Sequence, residues 1–165
     1  MLEDHAKLMA FFEQANEIVG RKRLQKMVYI LKKSGFDFSE RYTFHFYGPY
    51  SEELSTRIEE LCNLGFINET REKEKGYYQY RYQLTERGET FLDQSDLVPE
   101  NMARFILNMD EHSSKFLELV STMLYFDDFA KEDVEEKVRT VKSQQNYTEE
   151  DFEAAWQFIE QLQAH

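Results

Sequence analysis

Apolar residues recur along the first third of the chain with the period of a helix. Leu8, Phe11, Phe12, Ala15 and Ile18 make one stripe over residues 3–18, and Gly20 closes it. Leu24, Met27, Val28 and Leu31 make a second, which predicts a helix over 21–34 stopped at Gly35. The period then falls to two. Phe36 alternates with Phe38, and Tyr42 with Phe44 and Phe46, so Arg41–Tyr47 reads as a strand ended by Gly48-Pro49. Ser51 is placed to cap a third helix with Leu54, Ile58 and Leu61 on one face and Gly65 as its stop. Two strands follow, joined by a turn near Glu74–Gly76. Tyr78, Tyr80, Tyr82 and Leu84 share one face of the second strand, and Gln79, Arg81 and Gln83 the other. Thr85 opens a short helix carrying Phe91 and Leu92.

The rest reads as helix. Pro99 suits the first turn of a helix over 99–109. Phe116, Leu117, Val120, Met123 and Leu124 mark a helix over 111–126; Val134, Val138 and Val141 mark another over 131–143. Thr148-x-x-Asp151 resembles a capping box ahead of a stripe of Phe152, Ala155, Trp156, Ile159 and Leu162. The polar run DQSDLVP, residues 93–99, divides the chain into lobes 1–92 and 93–165, and apolar faces on both sides predict that the lobes pack together. Helix, helix, strand, helix, hairpin, helix is the layout of a winged helix, with the charged hairpin as wing. The expected fold is α+β and mostly helical: a winged-helix-like N-terminal lobe followed by an acidic helical lobe.

Charge sharpens this division. Residues 1–92 hold 14 Lys and Arg against 15 Asp and Glu; residues 93–165 hold 6 against 17. The net charge of -12 therefore sits almost wholly in the second part, where it repels nucleic-acid phosphates at long range. Residues 21–34 run the other way, with Arg21, Lys22, Arg23, Lys26, Lys32 and Lys33 and no acid. This stretch reads either as an anion-binding face or as a docking surface for the acidic lobe, and complementary charge in the same chain favours docking. A hydrophobic fraction of 41% with 15% aromatics excludes a disordered or fibrous chain. No apolar run approaches a membrane span, and the acidic N-terminus lacks the pattern of a secretory signal. The expected location is the cytoplasm.

Catalytic chemistry leaves little trace. His5, His45, His112 and His165 fall in no metal-ligand spacing, and the single cysteine, Cys62, sits beside Leu61 on an apolar helix face as a packing residue. The six glycines stand at element ends and make no phosphate loop. Asp127-Asp128 and Glu135-Glu136 read as solvated charges. The sequence points to no enzyme, cofactor or metal. It offers limited means for DNA reading as well. The third helix exposes Glu52, Glu53, Glu59 and Glu60 against Arg57 alone, and Glu69, Glu72 and Glu74 interrupt the basic residues of the wing. If DNA were nonetheless the partner, its contacts would fall to Arg21, Lys22, Arg57, Arg71, Lys73, Lys75 and Arg81. The dense tyrosines of the strand, turn and wing suit a protein interface better.

Three short motifs carry a resemblance. RLQKMVYIL (Arg23–Leu31), FHFYGPYSEEL (Phe44–Leu54) and LCNLGFI (Leu61–Ile67) resemble the pattern of the SocA-like antitoxin, or Panacea, domains over roughly residues 5–92. The whole layout, with its tail VKSQQNYTEEDFEAAWQFIEQL, looks closer to the YwgA-like proteins of Bacillus and relatives. The first resemblance implies a non-enzymatic module that neutralises a toxin by contact or hands it to a protease; the second implies no particular function. On the matching positions, Gln25, Lys26, Tyr29, His45, Tyr47, Gly48, Pro49, Tyr50 and Ser51 become the candidate interaction residues. A purely structural role is open to them too: Gln25 and Lys26 would bond the backbone around the Gly48-Pro49 turn, and Tyr29 would pack on Pro49. The leading expectation is a cytoplasmic regulatory module that binds another protein, a toxin or a protease being candidates. A winged-helix transcriptional regulator is the alternative, and a homodimer is compatible with the chain.

Overall fold

The computed structural model describes residues 2–164; His165 lies outside them. In chain order the elements are α1 (Leu2–Ala15), β1 (Glu17–Val19), α2 (Arg21–Lys33), β2 (Thr43–His45), β3 (Gly48–Tyr50) and α3 (Glu52–Asn63). The hairpin strands β4 (Ile67–Glu74) and β5 (Tyr77–Leu84) follow, then α4 (Glu86–Gln94), α5 (Ala103–Asp110), α6 (Ser114–Tyr125), α7 (Lys131–Val141) and α8 (Glu149–Gln163). The fold is α+β and mostly helical. No helix among the described residues is long and apolar enough to cross a membrane.

Two sequence expectations fail where a buried strand mimics a helix or a turn. The first helix ends three residues short of Ile18. Asn16 turns left-handed at φ 68° and donates its amide to the Phe12 carbonyl, which stops α1. Glu17–Val19 then pairs antiparallel with β5, Ile18 opposite Tyr82, and completes a sheet of order β1-β5-β4. Ile18 is buried, as the helical stripe required, but from a strand. Secondly, Gly48-Pro49 does not end the strand at 41–47. It forms β3, which folds back on β2 with Phe44 opposite Pro49. This hairpin has only two strands, so Pro49 costs no ladder bond in a sheet interior. Phe36 and Phe38 lie in irregular chain, and Lys32 holds the Glu40 carbonyl there.

Pro99 also lies outside any helix. Gln14 of α1 donates to the Glu100 carbonyl at 2.9 Å and accepts from the Met102 amide at 2.7 Å, pinning 100–102 as a connector until α5 starts at Ala103. Val141 is 41% exposed, so the α7 stripe buries only Val134 and Val138. Three caps follow the sequence: Ser51 and Thr85 each accept from a first-turn amide, and Thr148 with Asp151 closes a capping box. Ser113 caps α6 in the same way, so that helix starts three residues later than the predicted 111.

One apolar core runs through the chain. α2 packs on α6, α1 on α5, and α6 on α7 and α8, so residues on both sides of 93–99 contribute to it. The basic face of α2 meets this second part directly. Arg23 donates to the Met109 and His112 carbonyls at 3.1 and 3.0 Å, which satisfies the carboxyl end of α5. Lys33 pairs with Asp127 at 2.8 Å.

Gly88 marks the tightest approach. A Cβ there would stand 2.3 Å from the Phe66 carbonyl oxygen and 2.6 Å from Leu84 Cδ1. Gly88→Ala is therefore expected to cost roughly 1–3 kcal/mol by overpacking, read as a lower urea midpoint with an unchanged slope.

Candidate functional site

The geometry of the Phe44–Leu54 segment begins with a side chain that acts like backbone. Gln25, 5% exposed, accepts the Ser51 amide on Oε1 and donates Nε2 to the Ser51 carbonyl, both at 2.9 Å. The same Nε2 reaches Ser55 Oγ at 3.0 Å, and the Tyr50 hydroxyl shares that oxygen at 2.9 Å. Helix α2 is thereby joined to the end of β3 and the start of α3. Gly48, at φ 95°, lays the hairpin on α6: an added Cβ would meet Thr122 Oγ1 at 3.3 Å. Lys142, just past α7, donates to the Phe46 carbonyl at 2.6 Å and so fixes the hairpin tip.

These contacts open a groove of about 690 Å³ between α2, α3, the β2–β3 hairpin and the root of β4 and β5. Tyr47, Pro49 and Tyr50 wall it from the hairpin; Leu54, Ile58 and Cys62 line it from α3. Arg21, Lys22, Gln25 and Lys26 face it from α2, and His45, Glu59, Glu69 and Tyr82 complete the rim. His45 stacks on Tyr50 with ring centres 4.9 Å apart. The Lys22 ammonium stands 3.2 Å from the centre of the Tyr47 ring, and Arg21 lies 3.6 Å over Tyr80. Arg21 also donates to the Tyr82 hydroxyl at 3.2 Å, and that hydroxyl donates to Glu69 at 2.6 Å.

Lys26 is the unusual member. It is 3% exposed, and burial pulls its ammonium down to about 8 against the support of Glu118, with Lys142 and Lys22 adding repulsion. Glu118 Oε1 lies 3.9 Å from Lys26 Nζ while Oε2 takes Lys142 at 3.3 Å, so two ammonium groups share one buried carboxylate. Cys62 is half-buried, and burial pushes its thiol up to about 11, far from a reactive thiolate.

Six of the nine motif positions thus meet in one groove: Gln25, Lys26, His45, Tyr47, Pro49 and Tyr50. Gly48, Ser51 and Tyr29 stand behind it. The Tyr29 ring lies 4.7 Å from that of Tyr42 and 6.5 Å from that of Tyr125. Gln25 bonds the backbone as expected of a structural residue, whereas Lys26 turns to Glu118 instead. The residues named for nucleic acid scatter. Arg21 and Lys22 join the groove, but Arg57 is paired with Glu40 and Asp4, and Arg81 is clamped by Glu17 at 2.7 Å and Glu72 at 3.1 Å. Arg71 lies over Tyr78, and Lys73 and Lys75 occupy the far end of the β4–β5 hairpin. Among the described residues no group of three or more His, Cys, Asp or Glu is placed to hold a metal ion. Glu118 and Lys142 escaped the sequence reading because no local pattern links positions so far from Lys26.

The arrangement defines an α+β protein whose motif segment builds a mixed apolar and cationic groove. The chain belongs to the YwgA family: it is 58% identical over 162 residues, 98% of each chain, to the uncharacterised protein YwgA of Bacillus subtilis strain 168. No protein-family model matches it, so the likeness to SocA-type domains rests on the short motifs alone.

Two measurements check this geometry. Gln25→Leu strands the Ser51 amide in the interior, while the Ser51 carbonyl keeps the Ser55 amide, and is expected to cost about 1–3 kcal/mol, with faster hydrogen exchange at the Ser51 amide. The second concerns Lys26. Below pH 8 it carries its proton folded or unfolded and the burial penalty is complete; above 10.5 it is neutral in both states. The stability of the native chain relative to Lys26→Met therefore rises between those limits, by roughly 1–3 kcal/mol. The opposing Cys62 titration, common to both proteins, cancels in the difference.

Proposed function

We propose that the chain is a non-enzymatic, cytoplasmic regulatory module that works by binding another protein, with the groove between α2, α3 and the β2–β3 hairpin as its docking surface. The observation that carries this reading is the composition of the groove. Tyr47, Tyr50, Tyr82 and Arg21 converge on a concave space of about 690 Å³, and tyrosine and arginine are residue types enriched at protein-binding hot spots. An antitoxin-like or adaptor-like role is the form this binding takes if the motif resemblance extends to function.

The other readings gain less. A DNA reader needs free cations on one face, and Arg57 and Arg81 are held in ion pairs within the chain. Exposed Glu52 and Glu59 on α3 would meet the phosphates instead. Catalysis lacks an activated nucleophile, since Cys62 keeps its proton and His45 stacks on a tyrosine.

The test is capture of partners from cells by native chain and by Tyr47→Ala/Tyr50→Ala, followed by reconstitution from purified components. The reading expects one identified protein to bind the native chain and to lose at least tenfold in affinity with the double variant. Salt-sensitive, site-selective retention on duplex DNA that Lys73→Glu/Lys75→Glu abolishes, with no protein partner, would sink it.

A further inference from the structure

Lys26 brings three N–H donors into the interior. Among the described residues its ammonium has one charged contact, Glu118 at 3.9 Å, which is beyond hydrogen-bond length. That carboxylate is already closer to Lys142, at 3.3 Å. The buried cluster of Lys26, Lys142 and Glu118 therefore carries one positive charge in excess. Excess charge in a buried cluster is costly, and an anion beside it relieves that cost. Lys26 lines the groove, so that side is open to a ligand.

The surroundings select the anion. Lys22 adds a second cation at this end. Glu59 and Glu69, the latter paired with Arg21 at 3.5 Å, also line the groove and disfavour a chain of phosphates, which would lay negative charge along all of it. The walls also hold Tyr47, Tyr50, Leu54 and Ile58, which offer apolar contact. A single carboxylate set among apolar side chains satisfies both demands.

We propose that the α2 end of the groove is a carboxylate subsite, in which one Asp or Glu of an extended partner segment accepts hydrogen bonds from Lys26 while its apolar neighbours lie between the hairpin tyrosines and α3. This rests on the protein-binding reading and specifies the chemistry of the docking segment. Occupation neutralises the excess charge and gives Lys26 a charged hydrogen-bond acceptor. A charge-assisted hydrogen bond is among the stronger polar contacts a binding site offers.

The probe is a phage library of random 12-residue peptides selected on the full-length chain, with Tyr50→Ala as counter-selection. Enriched peptides should carry one acidic residue within three positions of an aromatic or branched apolar residue. For a synthetic copy of the best binder, changing that residue to its amide, or Lys26→Met in the protein, should each weaken affinity at least tenfold. The two changes together should cost little more than either. Affinity for the native chain should fall from pH 7 to pH 10 as Lys26 loses its proton, and the Met variant should lack this slope. The charged groups acting on Lys26 are Lys22 from its own helix, Glu118 from α6 and Lys142 beyond α7; Arg21, His45, Glu59, Glu69, Cys62, Tyr47, Tyr50 and Tyr82 line the same groove. If Lys26→Met fails to fold, the acid-to-amide change in the peptide still decides. Groove-dependent peptides that tolerate the amide would overturn the subsite and leave the docking surface standing. No Tyr50-dependent peptides, or a Lys26-dependent preference for oligonucleotides, would overturn both.

Discussion

Glu118 is where four parts of the chain meet. It projects from the middle of α6, 9% exposed, and its two oxygens face Lys26 of α2 and Lys142 beyond α7. Lys142 in turn holds the Phe46 carbonyl at the hairpin tip, and the Gly48 backbone lies against the Glu118 stem, where an added Cβ would come within 3.8 Å of Cγ. Apolar side chains of similar volume would fill this space at less cost, since desolvating three charges recovers only part of its price in Coulomb attraction. What the ions supply is direction. Greasy contacts let the hairpin slide over α6, whereas an ammonium bonded to one carbonyl fixes one register. The groove beside α2 inherits its shape from that register.

The acidity of the second half has a structural counterpart in this arrangement. Lys26 meets Glu118 and Lys33 meets Asp127, while Arg23 takes backbone carbonyls at the end of α5 and lies 3.9 Å from Asp110. Half of the basic side chains of α2 are therefore spent on residues beyond 93. The expectation of an internal docking surface described these three well. It missed the other three, which turn towards aromatic rings or the irregular chain after α2: Arg21 over Tyr80, Lys22 over Tyr47 and Lys32 on the Glu40 carbonyl. One helix carries both readings because its charged residues leave it in different directions.

That division explains what was legible in the sequence. Helices with long apolar stripes, and caps made by Ser51, Thr85 and Thr148, depend on neighbours within four residues, and a linear pattern records them. β1 depends on Tyr82 and Arg81, over sixty positions away, and three residues are too few to show a period of two. Gly48-Pro49 carried the composition of a turn, yet α6 presses it into a strand. The motif residues were found as a set, but their geometry required a partner from the other half of the chain. Nothing near Lys26 announces Lys142.

The tyrosines show the same dependence on distant partners. Alternation along β5 predicted amphipathic rings left at the surface, and Tyr77 and Tyr78 are indeed more than half exposed. Tyr78, however, already has Arg71 over its ring, and Tyr80 has Arg21. These rings offer their faces to cations of the same chain, so little face is left for another ligand. Tyr47 differs, because the lysine over it stands at the mouth of a groove that also holds Tyr50 and the buried Lys26. An incoming carboxylate has two cations to meet there and apolar walls to follow, a combination that neither the hairpin of β4 and β5 nor the acidic face of α3 provides. The groove therefore combines recognition chemistry that is spent elsewhere on internal pairing.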